Sequence, residues 1–384
     1  MTQRSEFWIS SVLVAIFTIA SQPALTQAAR SVQLKLENSG WQALPPPLRD
    51  VSRGLGSQLV SIDHKGRVLV GFTVRESPGL ATRESPPLSF HILRFASGGQ
   101  VDLTLALPTF SWFTNGFYLG PNDQIYARAN DALQEMLGEP ATLKGGAAWR
   151  SLVSCPKNCQ ISQSPTRRTL LVTTFPHDYY DGHSSNTILD ASSSPPRVVR
   201  ICPQTGGEIT DRFAYGTESY GTEYNALRSP LCEPKQKEEL PINPQGGSLR
   251  PLNDGLFLLL GMGSIRGGDL VAPQRGIEVV TSDGQIKFRQ EMPKHDIVTE
   301  NVRINESGDR FAVIVDTWRG GSSLLDISGK RVARRVVVYT EKGQQLATVP
   351  LNPVEHRDFD FSLSPDGHRL AILDEDTVTV VDLE

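Results

Sequence analysis

The chain has 384 residues, with 38 Lys and Arg against 42 Asp and Glu, and 39% hydrophobic and 21% charged residues. That composition excludes a disordered chain, a collagen-like fibre and a multi-span membrane protein. A net charge of -4 supplies no broad basic surface for nucleic acid or anionic lipid, because both are held by Lys and Arg that displace counterions. The one compact basic group, Arg331, Arg334 and Arg335 in KRVARRVVVY, is expected to be the solvated lead-in to a strand.

At the start, Arg4 precedes an apolar stretch from Phe7 to Ala20, followed by SQPALTQAAR with Thr26 and Ala28 placed for cleavage. Residues 1–28 are expected to be a Sec-type signal peptide, leaving a single domain over 29–384. The apolar stretch is too short for a permanent membrane anchor, and no Cys near the cleavage point could carry a lipid. The mature chain is therefore expected to be exported without a stable membrane anchor, into a periplasm or outside the cell.

One layout then recurs: a short alternating strand, a tight turn and a second apolar strand. It appears as LVSIDHKGRVLVGF from Leu59, FYLGPNDQIYARA from Phe117, ISQSPTRRTLLV from Ile161, LRPLNDGLFLLL from Leu249, VRINESGDRFAVIV from Val302 and FSLSPDGHRLAIL from Phe361. Most copies are followed by a second hairpin, as in IEVVTSDGQIKFRQEM and VVVYTEKGQQLATVPL, with Gly at the turn where positive φ is cheapest. Two successive hairpins make a four-stranded meander, and its repetition predicts an all-β fold, a single β-propeller.

The turn signatures at Gly66, Asp123, Arg167, Gly255, Gly308 and Gly367 predict six blades. The interval from Arg167 to Gly255 has room for a seventh, but Tyr215 to Gly247 has few alternating apolar residues and is expected to be a long loop. Within blade two, NDALQEMLGEP predicts a short helix, capped by Asn130 or Asp131, with Leu133, Met136 and Leu137 on one face and Gly138 as its stop. The last blade has FDFSLS, HRLAIL and TVTVVDL but no fourth strand. The segment from Val32 to Glu37 can supply it, which would close the ring with the two ends of the chain.

All four cysteines lie in the mature part, and an even number in an oxidising compartment points to disulfides. Of three possible pairings, Cys155 with Cys159 and Cys202 with Cys232 is favoured. The second pair lacks the short spacing of a zinc site, so no metal is assigned.

SPDGHRLAIL and its second copy NESGDRFAVI resemble the repeat of the TolB-like and WD-repeat-like propellers of exported bacterial proteins. That repeat is structural: Asp and Gly make the turn while Leu, Ala and Ile fill the layers between blades. The resemblance therefore carries over no catalytic residue, and neither the WD dipeptide nor the Gly-His signature is present.

In a four-stranded blade with strands a to d, the a–b and c–d turns lie on one face of the disc and the b–c and d–a connections on the other. The b–c connections are long after Val74, Thr174, Leu260 and Val315, so a binding surface is expected on their face. Its candidate residues are His177, Asp178, Tyr179, Tyr180, Asp181 and His183 in HDYYDGH, Arg266 in GMGSIRGG, and Trp318 and Arg319 in DTWRGG. Imidazole and carboxylate are ligands that borderline cations accept, the paired tyrosines can stack on a sugar or a peptide, and Trp318 with Arg319 suits a carboxylate or a sugar. The glycines of GMGSIRGG loosely match a dinucleotide fingerprint, but Gly267, Gly268 and Pro273 leave no helix to face a pyrophosphate. No nucleophile elbow, HExxH helix or Walker loop is present. The favoured expectation is a monomeric, non-enzymatic binding or scaffold protein for a protein, peptide or glycan, with no cofactor and no nucleic-acid partner. The alternative is a lactonase-like or sugar-active propeller hydrolase or lyase with a metal or polar site at the channel mouth.

Overall fold

The computed structural model describes residues 31–35, 60–75, 88–109, 116–129, 131–138, 148–156, 159–175, 185–203, 207–220, 223–244, 248–261, 265–266, 269–270, 276–293, 295–319, 330–352, 359–374 and 377–384. Among them every regular element is a strand. The expected signal peptide lies outside the described residues.

The strands form seven four-stranded antiparallel sheets, each a meander in chain order except the last. After β1 (Ser31–Lys35), blade one is β2 (Val60–Ile62), β3 (Val68–Arg75), β4 (Leu88–Phe95) and β5 (Val101–Thr109). Blade two is β6 (Gly116–Leu119), β7 (Ile125–Ala129), β8 (Ala132–Leu137) and β9 (Ala148–Ser154). Blade three is β10 (Cys159–Gln163), β11 (Thr169–Thr174), β12 (Ser185–Asp190) and β13 (Arg197–Pro203). Blade four is β14 (Glu208–Ile209), β15 (Phe213–Tyr220), β16 (Glu223–Pro230) and β17 (Glu238–Leu240). Blade five is β18 (Ser248–Pro251), β19 (Leu256–Leu260), β22 (Gly276–Thr281) and β23 (Ile286–Glu291), with the small ladder of β20 (Ile265–Arg266) and β21 (Asp269–Leu270) in its b–c connection. Blade six is β24 (Asp296–Ile304), β25 (Arg310–Arg319), β26 (Lys330–Thr340) and β27 (Gln345–Leu351). Blade seven is β28 (Phe359–Leu363), β29 (Arg369–Asp374) and β30 (Thr377–Asp382), against which β1 pairs from Ser31 opposite Val381 to Lys35 opposite Thr377.

The core lies between blades rather than within one. Central strands carry apolar side chains on both faces, so each sheet must be covered on both sides. Leu258, Leu260 and Ile277 of blade five pack on Phe311, Val313 and Val315 of blade six, and all six are fully buried. Each such side chain contributes about 1.5–3 kcal/mol through removal from water. Corresponding clusters join each blade to the next, and one sets Leu34, Ala371, Leu373 and Val378 of blade seven against Val60 and Ile62 of blade one. Gly71 serves this packing, since a Cβ there would lie 2.8 Å from both Phe90 and Phe117.

Three sequence expectations are corrected. The count is seven blades, not six, and the loop expected over Tyr215 to Gly247 is mostly blade four. Its a–b turn is short, with the Thr210 N–H donating to the Phe213 carbonyl at 2.9 Å, and it lacks the left-handed residue that marks most other turns. The helix expected at NDALQEMLGEP is a hairpin strand. Asp131, at φ +56°, turns the chain into β8, and Leu133, Glu135 and Met136 are buried. Glu135 resolves the ambiguity: it accepts hydrogen bonds from Arg150 of β9 and from Ser194 of blade three, so a polar residue holds an inward position.

Candidate functional site

The a–b turns share one construction. In four of them, residue i accepts a hydrogen bond from the N–H of the fourth residue, as in Gly66 to Asp63, Arg167 to Ser164, Gly308 to Asn305 and Gly367 to Ser364, at 2.9–3.1 Å. Blade two repeats it with Asp123 to Gly120 at 3.1 Å. Side chains complete the fold of the turn: Asp63 Oδ1 accepts from the Arg67 N–H at 2.8 Å, and Ser364 Oγ accepts from the Arg369 N–H at 2.9 Å. The fourth residue is left-handed in all five, with φ from +61° to +73°. Glycine occupies it in blades one, six and seven, while Asp123 and Arg167 hold it in blades two and three at a cost of about 1 kcal/mol each.

Those two residues meet others at the axis. His64, in the blade-one turn, places Nδ1 2.8 Å from Asp123 Oδ1 and Nε2 3.1 Å from Glu306 Oε2, reaching blades two and six. Two carboxylate acceptors on opposite ring nitrogens require two N–H donors, which only the imidazolium supplies. His64 accordingly titrates above its ordinary value: burial opposes the charge, but the hydrogen bond to Asp123 and the field of Glu306 outweigh it. Arg167, 9% exposed, donates through Nη2 to the Ile62 carbonyl at 2.9 Å and sets Nε 3.4 Å from Glu306 Oε1. Burial pulls its guanidinium below the usual value, against the fields of Glu306, Asp123 and Asp63. Blades three and six are as far apart as a ring of seven permits, so this ion pair spans the axis. Beside it lies a cleft of about 550 Å³ lined by Pro121, Asn122, Thr166, Arg168, Ser192, Glu306 and Ser307.

The opposite face receives the b–c connections, which run 76–87, 175–184, 261–275 and 320–329 in blades one, three, five and six. In blades two, four and seven they shrink to two residues. His177, Asp178, Tyr179, Tyr180, Asp181 and His183 lie outside the described residues. Arg266 belongs to β20, where its backbone is opposite Asp269. Trp318 and Arg319 end β25: Trp318 is half-buried and its N–H donates to the His295 carbonyl at 2.9 Å, whereas Arg319 is exposed. Trp318 and Arg319 are thus consecutive residues at the strand end that leads into the 320–329 connection.

Beneath them the basic group is not a solvated lead-in, as expected, but is neutralised within blade six. Arg334 clamps Asp316 with Nε to Oδ1 at 2.7 Å and Nη2 to Oδ2 at 2.9 Å, and Arg331 reaches the same carboxylate at 3.3 Å. Arg335 pairs with Asp296, which also accepts from Thr317 Oγ1 at 2.6 Å. Both carboxylates are buried, and the bidentate pair with Asp316 fixes the guanidinium plane of Arg334. Two disulfides, Cys155–Cys159 and Cys202–Cys232, hold the favoured pairings. Among the described residues, no group of three or more His, Cys, Asp or Glu is placed to hold a metal ion.

His64, Asp123, Arg167 and Glu306 were not candidates from sequence. A usable signal was present: charged residues stand at the left-handed turn position of blades two and three, where the other copies carry glycine.

These features define a seven-bladed β-propeller whose a–b turns are all short and whose b–c connections are long in four blades. No protein-family model and no curated protein sequence matches the chain. Among solved structures it is similar to the WD40 domain of Toxoplasma gondii coronin, at 10% identity over 94% of this chain and 87% of that one, with a TM-score of 0.49. It is also similar to TolB from Acinetobacter baumannii, at 13% identity over 82% and 79% of the two chains, with a TM-score of 0.38. A third is an oligogalacturonate lyase in complex with manganese, at 12% identity over 85% and 96%, with a TM-score of 0.37.

Proposed function

We propose that the protein is exported by cleavage after residue 28 and acts as a monomeric, non-enzymatic binding module. Its ligand is a protein, peptide or glycan held on the b–c face, with Trp318 and Arg319 at the rim of the site. The observation that carries this reading is the asymmetry of the connections: four of seven b–c segments are long and leave the same face, while the a–b turns are uniformly tight. Long segments on a rigid scaffold can vary without disturbing the core, which is what a recognition surface requires. The paired Arg and Asp side chains of blade six give that rim a fixed base.

The test replaces residues 320–329 by an Asn-Gly turn and compares wild type and variant on peptide and glycan arrays. The reading expects array ligands that the variant loses while its melting temperature holds. Undiminished binding by the variant, or turnover of a lactone or uronate oligosaccharide by the wild type, would overturn it. Export is checked by N-terminal sequencing of the released protein, which should begin at Ala29.

A further inference from the structure

Of the six large hydrophobic side chains that stand exposed among the described residues, three lie on β13: Val198 at 46%, Val199 at 51% and Ile201 at 69%. Single exposed apolar residues are ordinary, but a contiguous group on one strand is not. Among the described residues β13 is the outer strand of blade three and pairs only with β12, so its far side is an open ladder edge. A bulge between Ile188 and Leu189 leaves Val199 without an opposite residue, which breaks the inside–outside alternation and leaves Val198 and Val199 both exposed. The outer strand of blade one differs: β5 exposes Asp102, Thr104 and Ala106 and buries Leu103, Leu105 and Leu107. Proteins usually blunt such edges, because an open apolar strand is a template for another.

The chemistry of the partner follows from the charges beside the strand. Arg197 and Arg200 flank Val198 and Val199, and their own ion pairs are loose: Arg197 lies 3.8 Å from Asp190 and Arg200 3.2 Å from Glu233, all four side chains being at least one-third exposed. Exposed pairs of this kind contribute little and exchange readily for another carboxylate. We propose that β13 is a docking edge for an extended polypeptide segment that alternates β-branched and acidic residues. The segment joins blade three as a fifth strand, with its apolar side chains on Val199 and Ile201 and its carboxylates on Arg197 and Arg200. A second copy of this chain fits less well, since antiparallel self-pairing would crowd four arginines onto one short ladder.

The probe is a fluorescein-labelled heptapeptide alternating glutamate with valine, followed by fluorescence anisotropy and by hydrogen exchange of the full chain. Binding should protect amides confined to residues 197–203. Val199→Lys combined with Ile201→Lys should weaken binding by about ten-fold or more without lowering the melting temperature, because neither side chain is packed. Arg197→Glu with Arg200→Glu should lose the glutamate peptide and gain its lysine counterpart, a reversal that misfolding cannot produce. Protection elsewhere, equal binding by both double variants, or concentration-dependent dimerisation through β13 in place of peptide binding would overturn the proposal.

Discussion

Removing the Cys202–Cys232 bridge should cost far more than removing Cys155–Cys159. The first joins β13 of blade three to the turn after β16 of blade four, and its cysteines are 30 residues apart; the second, with a separation of 4, ties the residue after β9 to the first residue of β10. Cross-linking removes loop entropy from the denatured chain in proportion to the logarithm of loop length. A loop of about 30 residues corresponds to about 3.7 kcal/mol at 25 °C, and one of about 5 residues to about 2 kcal/mol. Alanine suits both tests: Cys232 sits at φ +65°, and Ala meets the same left-handed cost as Cys, so backbone strain cancels. Guanidinium unfolding of the two Cys→Ala pairs, followed by tryptophan fluorescence, should give midpoints separated by about 1.5–2 kcal/mol of stability, with reduced wild type below both. Blade four adds to the expectation, since β14 and β17 are two and three residues long and contribute little pairing of their own. Equal midpoints, or a larger loss from Cys155–Cys159, would show that strain or residual denatured structure governs these bridges and would refute the loop argument.

Three further outcomes are expected. His91 is buried among apolar groups with Nε2 2.7 Å from Ser89 Oγ, and burial lowers its pKa to about 4. Its neutral form is favoured by folding, so stability is complete above about pH 6.5 and falls by about 3 kcal/mol as pH drops toward 4; His91→Phe should flatten that limb in pH-dependent chemical denaturation. His64 has the opposite sign: its contribution is complete below about pH 6.5 and fades as pH rises through its raised value, so wild type minus His64→Asn should shrink toward pH 8 in thermal melts. Gly308→Ala should cost about 2 kcal/mol or more, because φ is +72° and a Cβ would fall 2.2 Å from the Leu252 carbonyl oxygen; a neutral calorimetric result would contradict the packing of blade five on blade six.

The repeat was legible because a left-handed residue four positions into a turn needs glycine or bears a cost, and that demand is written into Gly66, Gly308 and Gly367. Blade four escaped because the chain from Thr210 to Phe213 turns without such a residue, and Ala214 and Ala226 fill its core with side chains too small to mark a strand. The false helix arose because Leu133, Met136 and Leu137 satisfy helical spacing as well as a strand whose polar Glu135 is buried against Arg150. The axial group was legible only in part: the charged residues at left-handed positions single out Asp123 and Arg167, but His64, Asp123, Arg167 and Glu306 come from four repeats, and only the ring's curvature makes them neighbours. The cluster on blade six shows the limit of counting charge along a sequence, since Arg331 and Arg334 find Asp316 across a β-ladder.

The ion pair between Arg167 and Glu306, with His64 lodged beside it, has a bearing on traffic. A molecule in the central shaft therefore meets fixed opposite charges at the end of the a–b turns, and its own charge sets how it is received there.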